Sequence, residues 1–409
     1  MRVLFCTTGG LGHLLPLRPL ASALRSRGHE VAWVTAPDAL PVLRDKGFDL
    51  FAAGPTFEAS RRRFRAAHAD AASLSGERLS AYTFPRLFGA VLGPEMLEGV
   101  DQVARHWRPD IVVSEPAALA VPLVCESLGL RHVTHGYGLP PPREYLEDAM
   151  RFFEPHWRER GLAAPVDGRP RRHLDLDIAP ASLLPAAASA RDRVFRFNAY
   201  RPDPKGPSAL PDRLRAALRQ STARRPRMYV TFGTVFNRSV ALIAAARAAA
   251  RVGATVVVTV GANGDPHRLS GLGAHVHVRR FVDQASLLPH CDMVVSHGGA
   301  GTMLGAAAHG VPHLVLPQAA DHFRNGRALS AVSAGCTVDP ESQTVEAVTS
   351  CLSTVLTSAS FEGGARTLAR EMAAMPDVPA AAMELERWNA CALTDRRSND
   401  RSPGSGTPA

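Results

Sequence analysis

A short apolar run, a glycine-rich turn and a helix start follow one another twice in this chain, and that pattern leaves few folds open. The later copy is Met293-Val294-Val295, then Ser296-His297-Gly298-Gly299-Ala300-Gly301-Thr302. It reads as a buried strand, a tight turn and a helix beginning near Ala300. Three glycines in the four positions 298–301 let the backbone pass close to a ligand. A helix start offers unpaired N–H groups and the positive end of its dipole, which together suit a phosphate. His297 adds a donor and Thr302 a hydroxyl. The same spelling also serves an ordinary strand-to-helix turn, so its surroundings decide. Those are Gly310-Val311-Pro312, an apolar strand over 313–316, and Pro317-Gln318-Ala319-Ala320-Asp321-His322.

The earlier copy opens the chain as Thr7-Thr8-Gly9-Gly10-Leu11-Gly12-His13-Leu14-Leu15-Pro16. It is not a dinucleotide fingerprint, because G-x-G-x-x-G from Gly10 would need glycine where Leu15 stands. His13 is expected at or just before a helix start. The positive helix end there keeps the ring neutral and able to accept a proton. Glu115 follows the strand 111–114. In a parallel sheet that strand end shares an edge with the His13 loop. A carboxylate there can fix the tautomer and stabilise the charge formed on the ring. The plain alternatives are a capping histidine and a helix-start glutamate. Gly233-Thr234 follows the first strand of the second half, and either contacts a phosphate or turns the chain.

Strand and helix patterns alternate throughout, which argues for an α/β fold with parallel sheets. Strands are expected at 2–7, 30–35, 49–52, 111–114 and 131–135, then at 227–232, 255–260, 275–278, 293–296 and 313–316. Helices are expected over 15–27, over 80–106 with breaks at Pro85 and Pro94, and over 117–128. The rhythm fails at 57–80 and 140–172, as binding loops in an α/β scaffold do. A chain of 409 residues suggests two domains. They are expected over 1–205 and 227–375, with a linker at 206–226. The polar stretch 394–409 reads as a disordered tail.

Composition excludes several function classes. The longest apolar candidate, 112–130, is broken by Glu115 and Glu126 and falls short of a membrane span. The N-terminus reads as a strand, not a signal peptide. Six scattered cysteines form no C-x-x-C pair and suit reduced thiols in a cytoplasmic protein. The net charge of +9 raises the question of nucleic acid. The basic residues are nearly all arginine, which suggests a GC-rich bacterial genome. The clusters 61–65, 169–172 and 224–227 read as loops and solvated surface. Asp175-Leu176-Asp177 resembles a metal-binding D-x-D, but it alternates inside 173–178 as a half-exposed strand would. The pairs His275/His277 and His309/His313 lack the rest of any metal motif.

With these motifs assembled, the chain resembles the two-domain GT-B glycosyltransferases of the family that holds plant secondary-product and bacterial antibiotic glycosyltransferases. The likeness runs from residue 1 to about 393. It is carried by Phe281-Val282-Asp283-Gln284, Leu287-Leu288-Pro289-His290, the His297 to Thr302 turn, Gly310-Val311-Pro312 and the Pro317 to His322 stretch. Gly12-His13 and the Arg108-Pro109-Asp110 and Ser114-Glu115-Pro116 segments add to it. The arginine-rich spelling is most similar to actinobacterial natural-product enzymes.

The resemblance implies two Rossmann-like domains with parallel sheets facing across a cleft, and a last helix over 376–393 crossing back to the first domain. It makes His13 the general base, with Glu115 where the family more often has Asp. Gly10, Gly12 and Phe84 fall on the acceptor side. On the donor side it places Gly233, Thr234, Val282 and Gln284, and Phe281 where an aromatic, usually Trp, stacks on the nucleobase. His297 and the N–H groups of Gly298, Gly299, Ala300, Gly301 and Thr302 hold the diphosphate. Gln318, Asp321 and His322 fall at the donor sugar, His322 departing from the usual Gln. Gly305 stands where UDP-sugar users carry a ribose-binding Glu, which favours a dTDP-sugar. The implied activity is inverting transfer of a sugar, a deoxysugar above all, to a hydrophobic natural-product aglycone, with no metal and no bound cofactor. The alternatives are a UDP-sugar transferase, a sugar-nucleotide epimerase or a non-catalytic relative on this scaffold. Neither nucleic acid nor a membrane is an expected partner, and a homodimer is left open.

Overall fold

Two stacks of apolar, β-branched runs become two parallel sheets in the computed structural model of the chain. It describes residues 1–44, 46–166, 169, 173–185, 194–200, 210–221, 225–233, 236, 239–262 and 264–399, with side chains to 390. The first sheet holds β1 (Arg2–Cys6), β2 (Glu30–Thr35), β3 (Asp49–Ala52), β4 (Ile111–Ser114), β5 (Arg131–His135), β6 (His173–Asp177) and β7 (Val194–Arg196). The second holds β8 (Arg227–Thr231), β9 (Thr255–Thr259), β10 (Val276–Arg279), β11 (Met293–Ser296), β12 (His313–Val315) and β13 (Gly335–Thr337). The orders are β3-β2-β1-β4-β5-β6-β7 and β10-β9-β8-β11-β12-β13. Strand order therefore reverses between β1 and β4, and again between β8 and β11. In open parallel sheets the crevice at such a reversal is where ligands bind. The loops carrying His13 and Glu115 leave the first reversal, and those carrying Gly233 and His297 leave the second.

Helices cover both faces of each sheet. The first half contributes α1 (Arg18–Ser26), α2 (Phe57–Ala67), α3 (Gly76–Phe84), α4 (Gly93–Trp107), α5 (Ala120–Leu128) and α6 (Arg143–Glu159). The second contributes α7 (Asp212–Arg219), α8 (Val240–Arg251), α9 (Ala300–Ala308), α10 (His322–Ala331), α11 (Val345–Thr357), α12 (Ala359–Ala374) and α13 (Val378–Asn399). One apolar cluster spans both halves, joining Leu17, Leu20 and Trp33 to Met303, Leu304, Leu368 and Leu385. α13 packs on the first sheet's side: Arg27 and His29 bond Glu386 at 2.8 and 2.7 Å, and Arg131 donates to the Asn389 carbonyl. Among the described residues, no helix is long and apolar enough to cross a membrane.

Several expectations are corrected. Residues 57–80 are not irregular: Thr56 caps α2 by accepting from the Ala59 N–H at 3.2 Å, and the arginines of 61–65 line its outer face while Ser60 and Phe64 turn inward. Residues 140–172 contain α6, whose buried Ala149, Met150, Phe153 and Trp157 keep helical spacing despite an internal Pro155. The prolines at 85 and 94 do not break the helical run. Between α3 and α4 the chain widens into π turns over Pro85–Leu92, which absorbs Pro85, and Pro94 sits in the first turn of α4. β6 is buried along Leu174–Asp177, not half-exposed, because β5 and β7 flank it. β7 and β13 were not anticipated, being three residues each. The helix α13 extends to Asn399, into the stretch expected to be disordered. Residues 400–409, the linker stretches 206–209 and 222–224, residues 170–172 and Thr234 lie outside the described residues.

Candidate active site

His13 lies in a four-residue helical turn, Leu11–Leu14, capped by Gly10, rather than ahead of a helix. Its N–H donates to the Gly10 carbonyl at 2.9 Å, and that fold of the chain turns the ring into the cleft. Nδ1 stands 3.2 Å from Glu115 Oε2. The contact is an ion pair without the alignment of a straight hydrogen bond. Glu115 is itself locked: Oε1 accepts from the Thr8 N–H and hydroxyl at 3.1 and 2.8 Å, and Oε2 from the Ala117 N–H at 2.6 Å.

Burial alone would lower the His13 pKa, but the Glu115 carboxylate and, further off, Asp321 outweigh it and carry it above the ordinary value. This corrects the expectation that a helix end sets the ring's charge. Burial pushes Glu115 up, while the facing His13 and the Thr8 donors bring it below the usual carboxylate range. The pair therefore stabilises the charged ring, and Nε2 can accept a proton only once the ring is neutral with its Nδ1 facing Glu115.

Aromatic rings wall the His13 side of the cleft. The imidazole lies 4.3 Å from the Tyr137 ring and 5.4 Å from Phe88. Phe84 follows at 4.9 Å from Phe88, and Tyr145 at 5.9 Å from Phe84. Phe88 and Tyr137 were not singled out from the sequence; only Phe84 was. A small pocket of about 50 Å³ continues behind Glu115 and Tyr137, lined by Leu119, Pro140, Leu146 and Met150 with His132 and Asp175 among its polar lining. Asp175 is engaged by His173 at 2.9 Å and Arg169 at 3.0 Å.

Across the cleft, Gly298 adopts φ +89° after β11 and turns the chain into α9, whose first residues are Ala300, Gly301 and Thr302. The His297 ring is wedged between glycines: a Cβ on Gly233 or Gly299 would stand 2.9 or 2.6 Å from it. It meets His322 edge-on at 4.5 Å, and Phe236 lies 5.9 Å away. Burial, reinforced by His322, lowers the His297 pKa to about 3. The ring is therefore neutral, and its Nδ1 is buried without a partner. Burial likewise takes His322 to about 3. Its Nδ1 accepts from the Gln318 and Ala319 N–H groups at 3.2 and 3.1 Å, stapling their loop.

The remaining donor-side candidates divide. Asp321 accepts from Asn325 Nδ2 at 2.7 Å and lies close enough to His13 for its charge to be felt there. Phe281 is 82% exposed, a bare ring at the surface. The Gln284 amide donates to Tyr229 Oη and Thr302 Oγ1 at 3.2 and 3.3 Å. Val282 packs into the core beneath. Gln318 is tied into its loop: its amide N–H₂ serves the Leu316 and Pro317 carbonyls and Gln343, and its oxygen accepts from Ser239 at 2.6 Å. The two halves touch at this point. Gly138 abuts Ala300 without room for a Cβ, Ser80 Oγ donates to the Ala320 carbonyl at 2.9 Å, and Arg324 donates to the Pro140 carbonyl at 2.7 Å.

Comparisons with known proteins identify the family of this fold. Family models described as erythromycin biosynthesis protein CIII-like match residues 22–233 as the N-terminal domain and 244–387 as the C-terminal domain. The chain is 33% identical to the elloramycin glycosyltransferase ElmGT of Streptomyces olivaceus, over 92% of this chain and 94% of that one. It is 30% identical to the L-demethylnoviosyl transferase of Streptomyces niveus, over 92% and 95%. The solved spinosyn rhamnosyltransferase SpnG superposes with a TM-score of 0.74 as its thymidine diphosphate complex, at 27% identity over 94% of this chain and 100% of that one. Its spinosyn aglycone complex superposes at 0.75, with 26% identity over the same shares. The chain belongs to the erythromycin biosynthesis protein CIII-like family, sugar-transferring enzymes of antibiotic biosynthesis with the GT-B fold.

Proposed function

We propose that the chain is an inverting glycosyltransferase that moves a sugar, a deoxysugar above all, from a dTDP-sugar to a hydrophobic natural-product aglycone. The observation that carries the reading is the placing of two histidines at the two strand-order reversals, one paired to a carboxylate and one beside a helix start, with Asp321 between them. His13 Nε2 takes the proton of an acceptor hydroxyl. The oxygen attacks C1 of the sugar from the face opposite the diphosphate, so the configuration inverts. The C1–O bond to the diphosphate breaks, and its electron pair leaves with the phosphate.

The N–H groups of Gly301 and Thr302 and the neutral His297 ring stabilise that charge, with no metal taking part. Asp175, the carboxylate best spelled for a metal, is balanced by Arg169 and His173 instead. The aromatic wall of Tyr137, Phe88 and Phe84 suits a flat or apolar acceptor beside His13. Thymidine diphosphate and aglycone complexes of SpnG, at 27% and 26% identity, support the choice of both substrates. Incubation with a panel of dTDP- and UDP-sugars and a polyketide acceptor, with the anomeric configuration of product and donor compared, tests the reading. Retained configuration, or transfer from UDP-sugars alone, overturns it.

A further inference from the structure

Beyond its first turn, α9 presents a face without side chains. Gly301 and Gly305 stand four residues apart and so lie one above the other. Leu288 borders Gly305, where a Cβ would stand 3.1 Å from its Cδ1. Tyr200 lies along the same face, delivered by the chain that leaves β7. A Cβ on Gly301 would stand 3.6 Å from the Tyr200 hydroxyl, and one on Gly305 would stand 4.0 Å from the ring.

The segment that carries Tyr200 is fixed. Its N–H donates to Asn198 Oδ1 at 2.8 Å. Asn198 is buried, donating from its side chain to the Met372 carbonyl at 3.0 Å and from its backbone to the Pro376 carbonyl at 2.8 Å. The Tyr200 hydroxyl, by contrast, has no hydrogen-bond partner among the described residues, although the ring packs against the core. A largely covered phenol ordinarily finds one. The free hydroxyl lies over Gly301 in the first turn of α9, where backbone N–H groups have no partner within the helix.

We infer that Tyr200 is a donor-contacting residue, its hydroxyl hydrogen-bonding the nucleoside diphosphate where the nucleoside's sugar ring meets the phosphates. With the diphosphate on the α9 N-terminus, the half-exposed Gly301 leaves room for that ring, while Gly305 beyond it is covered by Leu288 and the Tyr200 ring. Tyr200 is the side chain there with an uncommitted hydroxyl. This rests on the donor-site reading above. It adds a residue of the first half to a site otherwise built by the second.

The test is Tyr200→Phe, which keeps the ring and removes only an unpartnered hydroxyl, so the melting temperature should not fall. Calorimetric titration with dTDP should show a Kd about five- to tenfold weaker than wild type, the scale of one lost hydrogen bond. The acceptor KM should stay unchanged. An unchanged dTDP Kd in a folded variant overturns the inference and leaves the donor-site reading standing. Failure of the wild-type protein to bind dTDP overturns both.

Discussion

His13 Nδ1 stands 3.2 Å from Glu115 Oε2, and both groups leave the point in the first sheet where strand order reverses. The carboxylate is pinned by Thr8 and Ala117, so it sets both the orientation and the charge of the ring. Transfer needs the ring deprotonated. The pH profile of kcat/KM should therefore rise through an acid limb above the ordinary histidine value of 6.5. Glu115→Gln removes the larger raising influence and leaves burial opposed only by Asp321, so the limb should move to lower pH while the rate falls. A limb that stays in place would remove Glu115 from its role. The sign for stability is opposite. A raised His13 pKa adds stability below the unfolded value, and that gain fades as pH rises through the folded one.

His297 is held neutral, its pKa lowered to about 3, so the part proposed for it is to donate a hydrogen bond and not to supply charge. His297→Ala should weaken dTDP binding and turnover together, whatever the acceptor, by about ten- to a hundredfold. Turnover should survive excess EDTA. Strict dependence on Mg²⁺ or Mn²⁺ would return Asp175 and Asp177 to consideration as ligands.

Gly305 offers no partner to a ribose 2′-hydroxyl. Desolvating that hydroxyl unpaired costs about 1–3 kcal/mol, so dTDP should bind roughly ten- to a hundredfold more tightly than UDP. Gly305→Glu should shift the preference toward UDP. Because a Cβ there would stand 3.1 Å from Leu288 Cδ1, the effect should be clearest with Leu288→Ala alongside. Equal affinities in one buffer would refute the argument.

The ring wall beside His13 should read the acceptor. Phe84→Leu keeps apolar volume and loses the ring face, and should raise the acceptor KM about two- to tenfold with the dTDP Kd unchanged. Phe88→Leu should act more strongly, since Phe88 lies nearer the imidazole. An effect on dTDP instead would place these rings on the wrong side of the cleft.

The parallel sheets were readable because short apolar or β-branched stretches alternate with helical ones: 30–35, 49–52, 111–114 and 131–135 agree with β2 to β5 to the residue. β7 and β13 were not, since three residues carry no period. α2 and α6 were hidden by arginine, glutamate and proline, which mask helical spacing in a window that short. The His13–Glu115 contact followed from placing both at one edge of a parallel sheet and from the family resemblance. Phe88 and Tyr137 could not, because their approach to His13 depends on how the Pro85–Leu92 turns and the loop after β5 meet in space. The hydrogen bonds that tie Gln318 to Ser239 and Gln343 were equally out of reach, since these partners lie far along the chain.

The central claim is that His13 removes the acceptor proton while the second half holds the donor. Single-turnover transfer and dTDP titration of His13→Ala test it together. Turnover should fall at least about a hundredfold, the scale of general-base loss, with the dTDP Kd within twofold of wild type. Near-normal transfer by the variant to an ordinary alcohol acceptor would contradict it.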